Sequence, residues 1–181
     1  TAMHSYADSV AEKTIETIAQ TGVQVVANPL DNIVLQGRGD GYPRRRGITR
    51  IPELLEAGAK VGIGHDSIMD PWYPLGRGHL VDAASMLIHV SQMTRPEDIN
   101  RVHRILVDDN HAPFGGAPAL REGASADLLV HAAGDPEEVF RLRARPRWVL
   151  RRGQVVAETP PAVSKVLGEA LRPGLYDRGL S

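Results

Sequence analysis

A helix, a glycine and a short apolar run occur in that order twice, and this repeat constrains the fold more than any other feature. From Asp8 to Ala19 the apolar positions Val10, Ile15, Ile18 and Ala19 follow helical spacing, with Ser5 or Asp8 as N-cap. Gly22 stops that helix, and "VQVVANPL" follows, β-branched like a strand buried on both faces. "IPELLEAGAKVGIGHD" repeats the pattern, with Pro52 in the first helical turn, Gly58 near its end and a strand over 60–64. Helices are predicted from about His79 to Met93 and again from Pro96 through Leu106. Alternating helices and strands predict a parallel sheet with its functional loops at the strand C-terminal ends, either an open sheet or a (β/α)₈ barrel. Two strands cannot close a barrel.

Between the two strands, "DNIVLQGRGDGYPRRRGITR" has glycines, a proline and no sustained period, so it reads as a long loop of the kind that serves function. Its "GRGDG" lacks the lysine and following helix of a phosphate loop. Beyond Gly115 the grammar changes. "ADLLVHA" and "RPRWVLRRGQVVA" read as short β segments with a hairpin turn between Arg152 and Gln154. The sequence therefore divides at residues 1–116, 117–160 and a C-terminal arm at 161–181, with a helix-like run from Val163 to Leu171.

Charge excludes little but points nowhere special. The 181 residues carry a net charge of -1, and the basic clusters at Arg44–Arg46 and Arg151–Arg152 are short, which gives no reason to expect nucleic acid. With no cysteine, disulfides and thiolate metal sites are excluded, which fits a reducing compartment, and the cytoplasm is the expected location. No apolar run approaches the ~20 residues of a membrane span, and no signal-peptide pattern opens the chain. It begins "TAMHSYAD" without an initiator methionine and reads as the interior of a longer protein.

The second strand ends in His65-Asp66-Ser67. At the C-terminal end of a barrel strand this is where a catalytic or metal-binding carboxylate stands, and equally where a polar residue caps the next turn. His65 and Asp66 are adjacent on a strand, so their side chains point to opposite faces, and His65 is expected to pack between strand and helix. His79, His89 and His103 fall in helical stretches and read as packing or surface residues, whereas His111 and His131 have no partner pattern.

The blocks "TAMHS", "VANPLDNIVLQGRGDGYPRRRGITR", "GHDSIMDPWYPLG" and, at Ser125–Val130 and Arg152–Ala157, "SADLLV" and "RGQVVA" resemble bacterial cytosine deaminase of the amidohydrolase superfamily. That resemblance implies an α/β chain forming the C-terminal part of a distorted (β/α)₈ amidohydrolase barrel, about strands six to eight, plus part of a small β-sandwich domain. It implies a hydrolase that deaminates cytosine or a related pyrimidine base with one divalent metal ion, Fe²⁺ or Zn²⁺. Asp66 matches the aspartate that ends the eighth strand, where it is both a metal ligand and the proton carrier for the attacking water. The other ligands, a His-x-His and a further histidine, and an acid/base glutamate lie in the remaining N-terminal part of the enzyme, which this chain needs as its partner. A homo-oligomer is implied too. Trp72 matches a tryptophan that lines the substrate pocket, and Gln36, with Arg38 and Asn28, borders it. His4 falls beyond the family's sixth-strand histidine and takes a surface or supporting role. Ser67 stands where the family carries a second aspartate against the pyrimidine ring, which leaves room for a 5-substituent. The alternatives are another cyclic amidine or amide as substrate, such as isocytosine, a pterin or an s-triazine, or a non-catalytic chain that serves assembly.

Overall fold

Gly22 ends the first helix as the sequence predicts, at φ 70° with its N–H on the Ile18 carbonyl. A computed structural model of the chain describes residues 2–45, 47–114 and 120–163. Within them, a short 3-10 turn at Ala2–Ser5 leads into helix α1, Asp8–Thr21. The N-cap is Ala7, with no side-chain cap bond, so neither Ser5 nor Asp8 caps the helix. Asp8 is instead the first helical residue, where its carboxylate complements the N-terminal partial charge and meets Arg50 at 2.8 Å.

Strand β1 is Val25–Ala27, and strand β2 is Val61–Ile63. They pair in parallel, Val25 opposite Val61 and Ala27 opposite Ile63. β2 is buried along its length, which explains its continuous apolar character. The far edge of β2 is satisfied by a side chain. Asn110 accepts from the Ile63 N–H at 2.8 Å and donates to the Ile63 carbonyl at 2.9 Å, as a neighbouring strand would.

The expected long loop opens with a helix. Pro29–Leu35 forms α2, with Pro29 at its first position, where the missing N–H costs nothing. Leu30 is buried against the core and Asp31 is buried with it. Two turns of helix leave too short a period for sequence pattern to register. Helix α3, Ile51–Glu56, precedes β2. Helices α4, Leu80–Val90, and α5, Pro96–Val107, follow it, α4 one to three residues inside its predicted ends and α5 starting as predicted and ending one residue later. Ile51, Leu54, Val61, Leu87, Val102 and Ile105 form the centre of one core, each at most 2% exposed.

After a 3-10 segment at Asp109–Phe114, strands β3 (Leu128–His131), β4 (Pro146–Arg151) and β5 (Gln154–Glu158) make an antiparallel sheet in that order. The β4–β5 turn is at Arg152 and Gly153, φ 48° and 79°, the left-handed pair of a tight hairpin. Between β3 and β4 lies helix α6, Pro136–Leu142, absent from the sequence reading although Asp135 caps it through the Glu138 N–H at 2.7 Å and Pro136 opens it. Phe140 of α6 is buried in the core described above and meets the His103 ring edge-on at 6.5 Å. The boundary expected at 116/117 and the run from 164 onward lie outside the described residues. No described helix is long and apolar enough to cross a membrane.

Candidate functional site

The C-terminal ends of β1 and β2 lie side by side, so the residue after each strand meets the other. Asn28 follows β1 and donates its side-chain amide to Asp66 Oδ2 at 3.1 Å. Gly64 makes the approach possible: its N–H bonds the Ala27 carbonyl, and a Cβ there would collide with the Asn28 side-chain oxygen. Asn28 occupies the N-cap position of α2 without capping it, because its side chain is committed to Asp66.

Asp66 adopts φ 66°, the left-handed region that aspartate tolerates better than most residues. The strand ends there and the chain turns, which brings the Ser67 N–H onto Asp31 Oδ2 at 3.1 Å. Asp31 is buried, 2% exposed, and its Oδ1 has no hydrogen-bond partner among the described residues. Burial pushes its carboxyl above the usual carboxylate range, and the charges of Asp66 and Asp70 push the same way, while hydrogen bonding with Ser67 opposes them. Sequence reading missed Asp31 because the segment read as loop. The signal was the Asn-Pro-x-Asp order of a helix start, with the aspartate in the first turn.

The turn continues into a second carboxylate cradle. Asp70 Oδ1 accepts from the N–H groups of Trp72 and Tyr73 at 2.9 and 3.0 Å, and these bonds, with the Ser67 hydroxyl, hold its carboxyl below the usual range. His65 is buried and Asp66 exposed, but both lie beyond β2, so the left-handed turn at Asp66 and not strand alternation sets them apart. The His65 Nε2 accepts from the Gly78 N–H at 3.2 Å, so Nδ1 carries the proton it shares with the Ser67 carbonyl at 3.1 Å. His65 thus pins the two ends of the 67–78 loop together.

Asn28, Asp66 and Ser67 are brought together; Gln36 and Trp72 are not bonded to them. Gln36 ends α2 half-buried, Arg38 is exposed, and Trp72 is 62% exposed on the loop that Asp70 anchors. His4 lies elsewhere, against Gly47. A cavity of about 570 Å³ is lined by His65, Tyr73, Arg77, Asp82, His89 and Arg143 but by none of Asn28, Asp66 and Ser67, so it is not the strand-end mouth.

Asp66 is exposed, offers a hard oxygen donor and has one hydrogen-bond donor on Oδ2, which suits a single ligand to a divalent cation. Among the described residues no group of three His, Asp or Glu side chains converges to hold one. Asp66 with its amide support is the carboxylate that could serve such a centre.

Comparison with known proteins decides the family. The profile of the amidohydrolase family, Amidohydro_3, matches residues 1–157. The chain belongs to the amidohydrolase family. It superposes on the crystal structure of 5-methylcytosine deaminase from Klebsiella pneumoniae, liganded with 5-fluorocytosine, with a TM-score of 0.85 and 32% identity over 91% of this chain and 40% of that one. A pterin deaminase from Rhizobium rhizogenes is 30% identical over 158 residues, 85% of this chain and 36% of the relative. The N-isopropylammelide isopropyl amidohydrolase of Pseudomonas sp. is 24% identical over 59% of this chain and 27% of the relative. This amidohydrolase chain thus spans between about a quarter and two fifths of the length of these relatives.

Proposed function

We propose that this amidohydrolase chain is part of a metal-dependent enzyme that hydrolytically deaminates cytosine or a near relative, and that it accepts a 5-substituted ring such as 5-methylcytosine. What carries the reading is Asp66, held by Asn28 at the end of β2, in a chain superposing over 91% of its length on a 5-methylcytosine deaminase. In this reading β1 and β2 are the seventh and eighth strands of a (β/α)₈ barrel, and the antiparallel sheet belongs to a small β-sandwich. Asp66 would hold the metal as one ligand, with a His-x-His, a further histidine and an acid/base glutamate coming from the rest of the enzyme.

A divalent cation, when bound, supplies Lewis acidity that brings the pKa of the attacking water toward neutrality. Asp66 would take a proton from that water as the C–O bond forms and the ring C=N pair moves onto nitrogen, protonated by the glutamate from the rest of the enzyme, and would pass its proton to the amino group, which leaves as ammonia when the C–N bond breaks. Asn28 keeps one carboxylate oxygen engaged, so the side chain is oriented before substrate arrives. Ser67, neutral and smaller than a carboxylate, leaves space beside the ring, and Trp72 and Gln36 line and border the pocket in the assembled enzyme. One methyl group accommodated in an apolar pocket is worth a ~10- to 200-fold preference.

The test is kcat/KM of the complete protein for cytosine, 5-methylcytosine and a pterin, measured by ammonia release. A 5-methylcytosine value at least about tenfold above that for cytosine is expected. The pterin deaminase relative supports a second reading, a pterin substrate, and a pterin value above both pyrimidines would establish it in place of the first. No ammonia from any of them would remove both and leave another cyclic amidine or amide, or an assembly role.

A further inference from the structure

Position 67 is surrounded by carboxylates. The Ser67 N–H bonds Asp31 at 3.1 Å, and Asp70 closes the same turn through the Trp72 and Tyr73 N–H groups. Asp66 is its covalent neighbour. Beneath the turn, Asp31 has one oxygen on the Ser67 N–H and the other buried with no partner among the described residues, so its carboxylate holds the turn through a single bond. Leu30, beside Asp31 on α2, is buried in the core as well.

Building on the reading of Ser67 as a pocket-lining residue, we propose that Asp31 is a specificity-determining residue that acts through position 67, accepting a hydroxyl there and excluding a carboxylate. A hydroxyl at 67 is neutral and can donate a hydrogen bond; a carboxylate only accepts, and sets a like charge beside the buried Asp31 carboxylate that its own N–H already holds. The buried side chain at 31 therefore decides which side chain the pocket can carry at 67. The two positions behave as one unit, and changing the pocket residue alone breaks the turn that also presents Asp66. Asp31 touches no substrate; it is a positioning residue.

The experiment is a double-mutant cycle in the complete enzyme with Ser67→Asp, Asp31→Asn and both together, reading Tm and the kcat/KM values for cytosine and 5-methylcytosine. Ser67→Asp alone should lower Tm by several degrees and both kcat/KM values more than tenfold. With Asn at 31, which keeps an acceptor for the Ser67 N–H position and removes the charge, Asp at 67 should cost little. The ratio of the two kcat/KM values should then move at least tenfold toward cytosine, a coupling of about 1.4 kcal/mol. If Ser67→Asp does not fold, a folded double variant supports the proposal and an unfolded one overturns it. Additive effects on Tm and on the ratio also overturn it. Failure of the unmutated enzyme to deaminate either base would sink the substrate reading alone, because the Tm cycle still measures the coupling.

Discussion

At the scale of single residues, Asp66 does two things that separate substitutions distinguish. Its backbone holds a left-handed turn at φ 66°, and its carboxylate takes the Asn28 amide while facing outward. Asp66→Asn is the informative change, because asparagine also tolerates the left-handed region, whereas alanine there adds roughly 1 kcal/mol of backbone cost. In the complete enzyme Asp66→Asn should leave Tm within a few degrees and lower kcat at least ~100-fold, since an amide accepts no proton at neutral pH. Elemental analysis of the same variant should show weakened metal retention. A kcat within about tenfold of the unmutated enzyme, a change of only ~1.4 kcal/mol in the barrier, would show that Asp66 carries no proton in the reaction.

Between elements, two ring contacts involve histidines. His79 precedes α4 and meets His131 of β3 edge-on at 6.5 Å, with both of its own ring nitrogens buried and unpartnered among the described residues. His103 of α5 packs on Phe140 of α6. Burial lowers the pKa of both His79 and His103 below the ordinary 6.5, and around His79 the pull of Asp82 is opposed by Arg77, His131 and Arg145. A histidine with a lowered folded-state pKa favours the neutral form. Above pH 6.5 both folded and unfolded chains are neutral and this stability is fully present. As pH falls through 6.5 and on toward the folded-state pKa, the unfolded chain takes up protons that the fold refuses, and stability is lost. The Tm of the complete protein should therefore drop between about pH 7 and pH 5, and His79→Asn with His103→Gln should flatten that slope. An equal slope in the variant would mean that other groups set the acid sensitivity.

Among its described residues the chain leaves unpaired strand edges and exposed apolar side chains. β1 pairs only with β2, Val26 of β1 is 52% exposed, and every residue of β5 is exposed, Val155 and Val156 among them. Sheet edges and apolar faces of this kind are covered in stable proteins. Expressed alone, the 181-residue chain should be insoluble or partly folded and without deaminase activity. Co-production with the remainder of the enzyme should recover it. The check is size-exclusion chromatography with a thermal melt, and a soluble monomer that unfolds cooperatively on its own would contradict the expectation.

Local pattern alone determined the elements whose signal is long or punctuated. α1 with its Gly22 stop, the two apolar strands, α4, α5 and the β4–β5 hairpin all follow from period and turn chemistry. The alternation expected at His65 and Asp66 does not apply, because β2 ends at Ile63 and Asp66 turns the chain. What tertiary structure decided is every relation across the sequence. That α2 and α6 exist as two-turn helices depends on Leu30 and Phe140 finding a core to enter, which seven residues of pattern cannot reveal. That Asn28 reaches Asp66, Asp31 reaches Ser67 and Asn110 seals β2 depends on pairing across 38, 36 and 47 residues. A side chain's chemistry is written at its own position, but its burial and its partner are properties of the packed chain, so the carboxylate at 66 was legible and the one beneath it at 31 was not.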